Sequence, residues 1–213
     1  MTAVSWTAWR AAGLLALFAI GGVGLVAGIH ALTEARVSAN EYDRLLRNLN
    51  AVLPQDRYDN DPILDAIDLH DPELLPPDGH TRVYRAFRAG RPVAAVFAIV
   101  APDGYNGAIR LLMAVNADGA IAGVRVLDHK ETPGLGDDID IAKSAWITDF
   151  IGAALDRPDA SGWKVKKDGG AFDQFTGATI TPRAVVAAVH RGLRLFRKHR
   201  HRLLRAAESA ESV

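Results

Sequence analysis

Three threonines, a glycine and an alanine stand together in DQFTGATITPRAVV, residues 173–186, directly ahead of a run with helical spacing. Hydroxyls at such a place have several uses. Thr176, Thr179 and Thr181 can bond nearby backbone in turns, with Thr181 as the N-cap and Pro182 at the first helical position. A phosphate loop is a poor fit, because the GxxxxGK[ST] spacing is absent and no lysine lies inside the motif. A self-activated threonine nucleophile lacks a nearby histidine, and the chain amine is far upstream. The chemistry favoured locally is anion binding. The first turn of a helix leaves backbone N–H groups unpaired at the positive end of the dipole, beside Thr179. Gly177 and Ala178 lack the bulk that would keep a ligand away from the backbone.

Elsewhere the chemistry-bearing residues are sparser. The chain has no cysteine, which excludes disulfides, thiolate nucleophiles and iron-sulfur clusters of its own. His129 stands alone after an apolar run and reads as a hydrogen-bonded structural histidine, while His190, His199 and His201 fall in a basic helix and read as a solvated face. No EF-hand spacing or other metal set occurs, and no catalytic residue is assigned. Net charge is zero over 213 residues, so nothing global points to nucleic acid. The charge is nonetheless segregated: Glu34 to His80 holds 11 acids and 4 bases, and Arg183 to Arg205 holds 8 Lys or Arg and no acid. That basic end can meet anionic lipid or an acidic partner surface.

Positioning these groups requires an anchor and a folded domain. AAGLLALFAIGGVGLVAGIHALT, residues 11–33, carries no charged residue, and as a helix it reaches about 34 Å, enough for a bilayer core. Its length and the lack of a small-x-small site favour an anchor over a cleaved signal. The stripe Leu45, Leu46, Leu49, Val52 and Leu53 predicts a helical stalk that stops near Pro54. Residues 55–80, rich in Asp and Pro, read as an irregular acidic connection. TRVYRAFR with PVAAVFAIV, and AIRLLMAVN with AIAGVRVLDH, predict two hairpins, with PDGYNG between them as a turn. A helix is expected over 140–155 through Ile141, Ala145, Ile147 and Ile151, and a short strand within GWKVKKDGGAFDQF. TPRAVVAAVHRGLRLFRKHRHRLL predicts a helix with Val185, Val189, Leu193 and Phe196 on one face.

The threonine cluster resembles the [ST]GAT[x][ST] flavinylation signature of the FMN-binding domain shared by the G subunit of the Rnf/Rsx electron transport complex and the C subunit of the sodium-pumping NADH:quinone reductase. VLDHKETPGLGDDI at 126–139 is similar to that family's H-x-ETPGLG segment, and GYNGAIRLLMAVNADGAIAGVRVL to its glycine-tyrosine hairpin. The resemblance runs from about residue 11 to 196, and the compact length is closer to the Rnf G subunit. It implies an α+β fold with one N-terminal transmembrane helix followed by a mixed helix and antiparallel-hairpin FMN-binding domain. The expected division is anchor 1–33, helical stalk and acidic connection 34–80, FMN-binding domain 81–196 and basic tail 197–213.

The same resemblance implies that Thr179 carries FMN through a phosphoester, installed by a separate magnesium-dependent flavin transferase. Thr176 stands where the family more often has Ser, Gly177, Ala178 and Thr181 complete the motif, and Glu131, Thr132, Leu135 and Gly136 lie against the flavin. The implied role is an electron relay in a membrane-bound, ion-translocating ferredoxin/NAD complex, not an enzyme on its own. Its partners would be the other subunits, the transferase and the lipid bilayer, with the flavin domain periplasmic at a bacterial inner membrane. The competing roles are a membrane-anchored regulatory or reductase-associated flavin domain, or the quinone-reductase C subunit.

Overall fold

The structure is a computed structural model and describes residues 6–205. Two compact units meet in sequence between Leu46 and Arg47. The first consists of helix α1, Trp6–Val52, whose closing turns belong to the second unit. Within α1, Trp9–His30 is long and apolar enough to cross a membrane, with mean hydropathy 2.3 and no residue of its most apolar stretch buried by protein. The helix ends at Val52, ahead of Pro54, as the stalk pattern predicts.

Five antiparallel strands in chain order make up the sheet of the second unit: β1 Ile67–His70, β2 His80–Arg88, β3 Arg91–Ala101, β4 Ile109–Asn116 and β5 Ile121–Asp128. Both expected hairpins are present, as β2–β3 and β4–β5, and β3–β4 pairing joins them into a meander. The β2–β3 turn places Ala89 at φ 49° and Gly90 at φ 73°, with the Ala89 N–H donated to the Asp59 carboxylate at 2.8 Å. That bond helps hold a left-handed backbone that alanine rarely adopts. Leu49, Val52 and Leu53, three of the stalk-stripe residues, are buried within this unit.

Helix α2, Ile180–Leu203, packs across β3 and β4. Val185, Val189, Leu193 and Phe196 are all buried, so the helical spacing identified the inward face correctly. Close approach depends on Gly192, where a Cβ would sit 2.5 Å from Met113 Sδ. One apolar core joins sheet residues such as Phe97 and Met113, the α2 stripe, and Ile147, Phe150, Trp163 and Phe172 from the segment between β5 and α2.

Three local expectations are corrected. The acidic connection contains β1, the edge strand, which pairs with β2 from Ile67 opposite Val83 to His70 opposite His80. Its brevity and acidic neighbours hid it. Residues 140–155 form no α-helix: the backbone makes turns and then a 3-10 segment, Ala145–Phe150. Asp140 accepts the Ala142 N–H on its side chain, extended Ser144 accepts the Trp146 N–H, and Gly152 is left-handed, so local side-chain bonds displace the helix. Three residues of the expected stripe, Ile141, Ala145 and Ile151, are consequently exposed, and only Ile147 is buried. The strand expected within 162–175 is a single parallel bridge, Val165 to Phe172, around a 3-10 turn at Lys166–Asp168 closed by left-handed Gly169.

Candidate functional site

Three loops come together where the sheet ends and α2 begins. The first, 102–108, connects β3 to β4; the second, 129–136, leaves β5; the third, 173–179, enters α2. What joins them is one carboxylate. Glu131 is 4% exposed and accepts the N–H of Tyr105 at 3.3 Å, the N–H of Asn106 at 3.1 Å and the hydroxyl of Thr181. Three donors from two other segments thus satisfy a buried charge. The fit is tight: a Cβ on Gly136 would lie 2.9 Å from Glu131 Oε2, and one on Gly104 3.0 Å from Oε1.

Further bonds brace the loops, within themselves and to their neighbours. Asn106 donates its side-chain amide to Thr132 Oγ1 at 3.0 Å, and the N–H groups of Leu135 and Gly136 both reach the Thr132 carbonyl at 3.1 Å. The Gly134 N–H meets the buried Asp137 carboxylate at 2.6 Å. His129 accepts the Glu131 N–H on Nδ1 at 3.2 Å, the structural use its isolation suggests. Below the third loop, Trp146 donates its indole N–H to the Asp173 carbonyl at 2.9 Å and packs its ring 5.1 Å from Phe175. From Phe175 the chain turns over left-handed Gly177, closed by the Ala178 N–H to the Phe175 carbonyl at 3.2 Å.

Thr181 is not the N-cap. The helix begins one residue before it, at Ile180, with Thr179 as the capping residue at φ −79° and ψ −27°. Thr181 is almost fully buried and its hydroxyl goes to Glu131, fifty positions away, so the tertiary contact outcompetes the cap. Pro182 falls later in the first turn than expected, still where its missing N–H is harmless. The Thr179 side chain makes no capping hydrogen bond, and the residue lines the cavity described next.

The loops enclose a cavity of about 280 Å³. Gly177, Ala178, Thr179 and Thr181 line it from one side, and Glu131, Thr132, Leu135 and Gly136 from the other. Eight of the nine expected residues are therefore brought together across a gap of some fifty positions in sequence. Thr176 is exposed and lies outside the lining. Tyr105 and Ile180 also line the cavity, and sequence reasoning misses both. GYNG reads from sequence as turn chemistry, and Ile180 has no polar group to attract notice; tyrosine in a glycine-rich loop was the available signal.

Two of the three histidines of α2 have structural partners, and the third, His201, is exposed. His190 stacks on Trp163 at 5.1 Å, and burial first, then Arg194 and Arg197, hold its pKa below the usual imidazole value. His199 Nε2 lies 2.8 Å from the buried Asp71 carboxylate, so this part of the basic helix is clamped rather than solvated.

Against known proteins, the family model described as an FMN-binding domain matches residues 104–194, and the RnfG N-terminal region matches residues 1–52. The G subunit of the ion-translocating oxidoreductase complex of Pseudomonas aeruginosa strain UCBPP-PA14 is 50% identical over 201 residues, 94% of either chain. The chain belongs to this G-subunit family. The Cereibacter sphaeroides ATCC 17023 member is 50% identical over 191 residues, covering 90% of this chain and 85% of its own. The Vibrio cholerae member is 46% identical over 198 residues, covering 92% and 94%. Among solved structures, the C subunit of the Na(+)-translocating NADH-quinone reductase from Parabacteroides distasonis shares the fold, with TM-score 0.52 at 18% identity over 79% of this chain and 94% of that one. The FMN-binding match spans every residue lining the cavity, and the N-terminal match ends where α1 ends.

Proposed function

We propose that this G-subunit protein is the electron relay of a membrane-bound, ion-translocating oxidoreductase complex, and that it carries FMN covalently, by a phosphoester to Thr179 Oγ1. The observation that carries the reading is the cavity itself. A threonine hydroxyl without a capping bond stands at the start of α2, opposite a loop fastened to the same helix through Glu131.

The residues fit the group. A phosphate at Thr179 lies at the positive end of α2, where the first-turn N–H groups have no intrahelical acceptor. Left-handed Gly177 and small Ala178 leave room beside it. Leu135, Ile180 and Tyr105 offer apolar surface of the kind a flavin ring system requires, and Thr132 offers a polar group. Bound there, FMN supplies the one- and two-electron chemistry that no side chain of a cysteine-free protein provides. Glu131 keeps the two cavity walls together, Thr179 tethers, and the apolar rim orients and limits water. With attachment performed by a separate flavin transferase, Thr179 needs no general base of its own.

The apolar part of α1 anchors the chain in the bacterial inner membrane, with the flavin domain, about residues 81–196, on the periplasmic side and the other subunits of the complex as electron donor and acceptor. Near full-length identity of 50% to the G subunit, against 18% to the C subunit of the reductase, favours the former over the latter.

The test is covalent flavin itself. Full-length protein co-expressed with a flavin transferase is expected to fluoresce in a denaturing gel and to gain the mass of one FMN less water. Thr179→Ala should abolish both signals, and Thr176→Ser should preserve them. Flavin retained on the Thr179 variant, or unmodified wild-type protein from the native host, would end the reading.

A further inference from the structure

Tyr105 has an unusual combination of a fixed backbone and a free ring. Its N–H is held by Glu131 at 3.3 Å and the next N–H by the same carboxylate at 3.1 Å. Asn106 fastens the loop again through Thr132. The glycine before it cannot be replaced without a clash, since a Cβ on Gly104 would lie 2.3 Å from the Gly107 carbonyl oxygen. Yet the tyrosine is 65% exposed, and its ring makes no ring contact among the described residues. With the backbone already fixed, covering this ring costs only the freedom of one side chain.

The cavity shows what would cover it. Leu135 and Ile180 are 44% and 47% exposed, and each comes from a different segment from Tyr105. Three segments thus deliver three exposed apolar side chains to one cavity, and Tyr105 is the aromatic one. A planar, electron-poor ring system packs on a phenol face better than on an aliphatic branch, in the offset geometry aromatic pairs prefer. We infer that Tyr105 is the positioning residue whose ring packs against the isoalloxazine of FMN, and that Glu131 presents it for that purpose. This rests on the flavin reading above. The glycine-tyrosine hairpin and the FMN-binding match both include Tyr105 without giving it a role.

Two measurements test the inference on the full chain. The first compares protein made with and without the transferase during tetranitromethane treatment, with nitration of each tyrosine followed by peptide mass spectrometry. Flavinylation is expected to slow modification of Tyr105 severalfold and to leave Tyr42, on the stalk helix, unchanged. The second records emission of the covalent flavin. Contact with a phenol quenches isoalloxazine fluorescence, so Tyr105→Leu and Tyr105→Phe, neither of which carries a phenol, should both be severalfold brighter than wild type at the same FMN content. Because the ring is exposed, neither substitution disturbs the core. Equal nitration of Tyr105 in both preparations, or equal emission from Tyr105→Leu and wild type, with one FMN per chain confirmed by mass, overturns the inference and leaves the relay reading intact. Wild-type protein without added FMN mass overturns the reading beneath it.

Discussion

From His80 to Asp128 the chain makes four long strands paired residue by residue; from His129 to Thr179, a stretch of similar length, it makes three short 3-10 turns and isolated bridges among the described residues. Both halves bury large side chains, and Phe97 and Phe150 belong to one core. The difference lies in how the backbone is fixed. Ladder hydrogen bonds fix the first half, whereas side chains fix the second, through Glu131, Asp137, Ser144 and the ring contacts linking Trp146, Phe150, Phe172 and Trp163. A ladder points side chains alternately up and down; a segment tied by its side chains can turn several of them toward one point. The cavity is built where that freedom is needed, and the sheet supplies the rigidity behind it.

If the turn-built half folds as one body with the sheet, its core residues must cost as much to remove. Phe97→Ala and Phe150→Ala should each lose about 3–5 kcal/mol in urea titrations, with tryptophan fluorescence and far-UV circular dichroism changing together. An early fluorescence transition in Phe150→Ala would make the second half a separately melting unit and break the comparison. Glu131→Ala should lose less, about 2–3 kcal/mol, by stranding the two loop N–H groups and the Thr181 hydroxyl. It should also lower the flavinylated fraction measured by mass although Thr179 is untouched; full modification would show that the loops hold together without the carboxylate.

The same contrast decides what could be read from the residues alone. Both hairpins follow from apolar runs and turn residues, and the α2 face from spacing, because in these the periodicity of the backbone is the periodicity of the burial. Ile141, Ala145, Ile147 and Ile151 also keep helical spacing, but Ser144 and Gly152 cut the helix, and such local hydrogen bonds leave little trace in a hydrophobic pattern. Strand β1 is lost among acids and prolines; with four residues at the sheet edge it carries too little alternation to detect. At the site, motif resemblance brings Thr179 and the Glu131 loop together, yet it cannot tell that Thr181 bonds Glu131 instead of capping a helix. That contact exists only once residues fifty apart have met.

Helix α2 is tied at both ends, and the two ties sharpen the comparison further. Toward its C-terminus, Lys198 Nζ and His199 Nε2 each lie 2.8 Å from Asp71, a carboxylate 3% exposed in the loop between β1 and β2. Burial alone would raise the Asp71 pKa, but hydrogen bonds from Lys198, His199 and the Leu74 N–H bring it from an ordinary 3.8 down to about 2. A carboxylate with a depressed pKa stabilises the fold above its unfolded value and loses that contribution as pH falls toward the folded one. Asp71→Asn should therefore melt below wild type at neutral pH, by about 1 kcal/mol given the half-exposed lysine, and the gap should close between about pH 4 and pH 2. A gap constant over that range would assign the effect to packing rather than charge.

At the other end, Arg183 in the first turns of α2 grips Asp168 with two hydrogen bonds of 2.5 and 2.6 Å. This is the tie to the turn-built half, and its geometry is better than that at Asp71. Both partners, however, lie in solvent, where water and salt weaken the attraction and two side chains must be ordered to keep it. The Lys166–Asp168 turn is in any case closed by its own backbone bonds and by left-handed Gly169. Arg183→Ala is accordingly expected to leave the melting temperature nearly unchanged, with whatever difference remains at low ionic strength vanishing in added salt. A large, salt-insensitive loss would mean that the second half is held at the flavin end by charge on its surface, and that the buried aromatic contacts and Glu131 are secondary. The small effect predicted at the shorter bonds, beside the larger one at Asp71, is what burial rather than distance as the deciding variable requires.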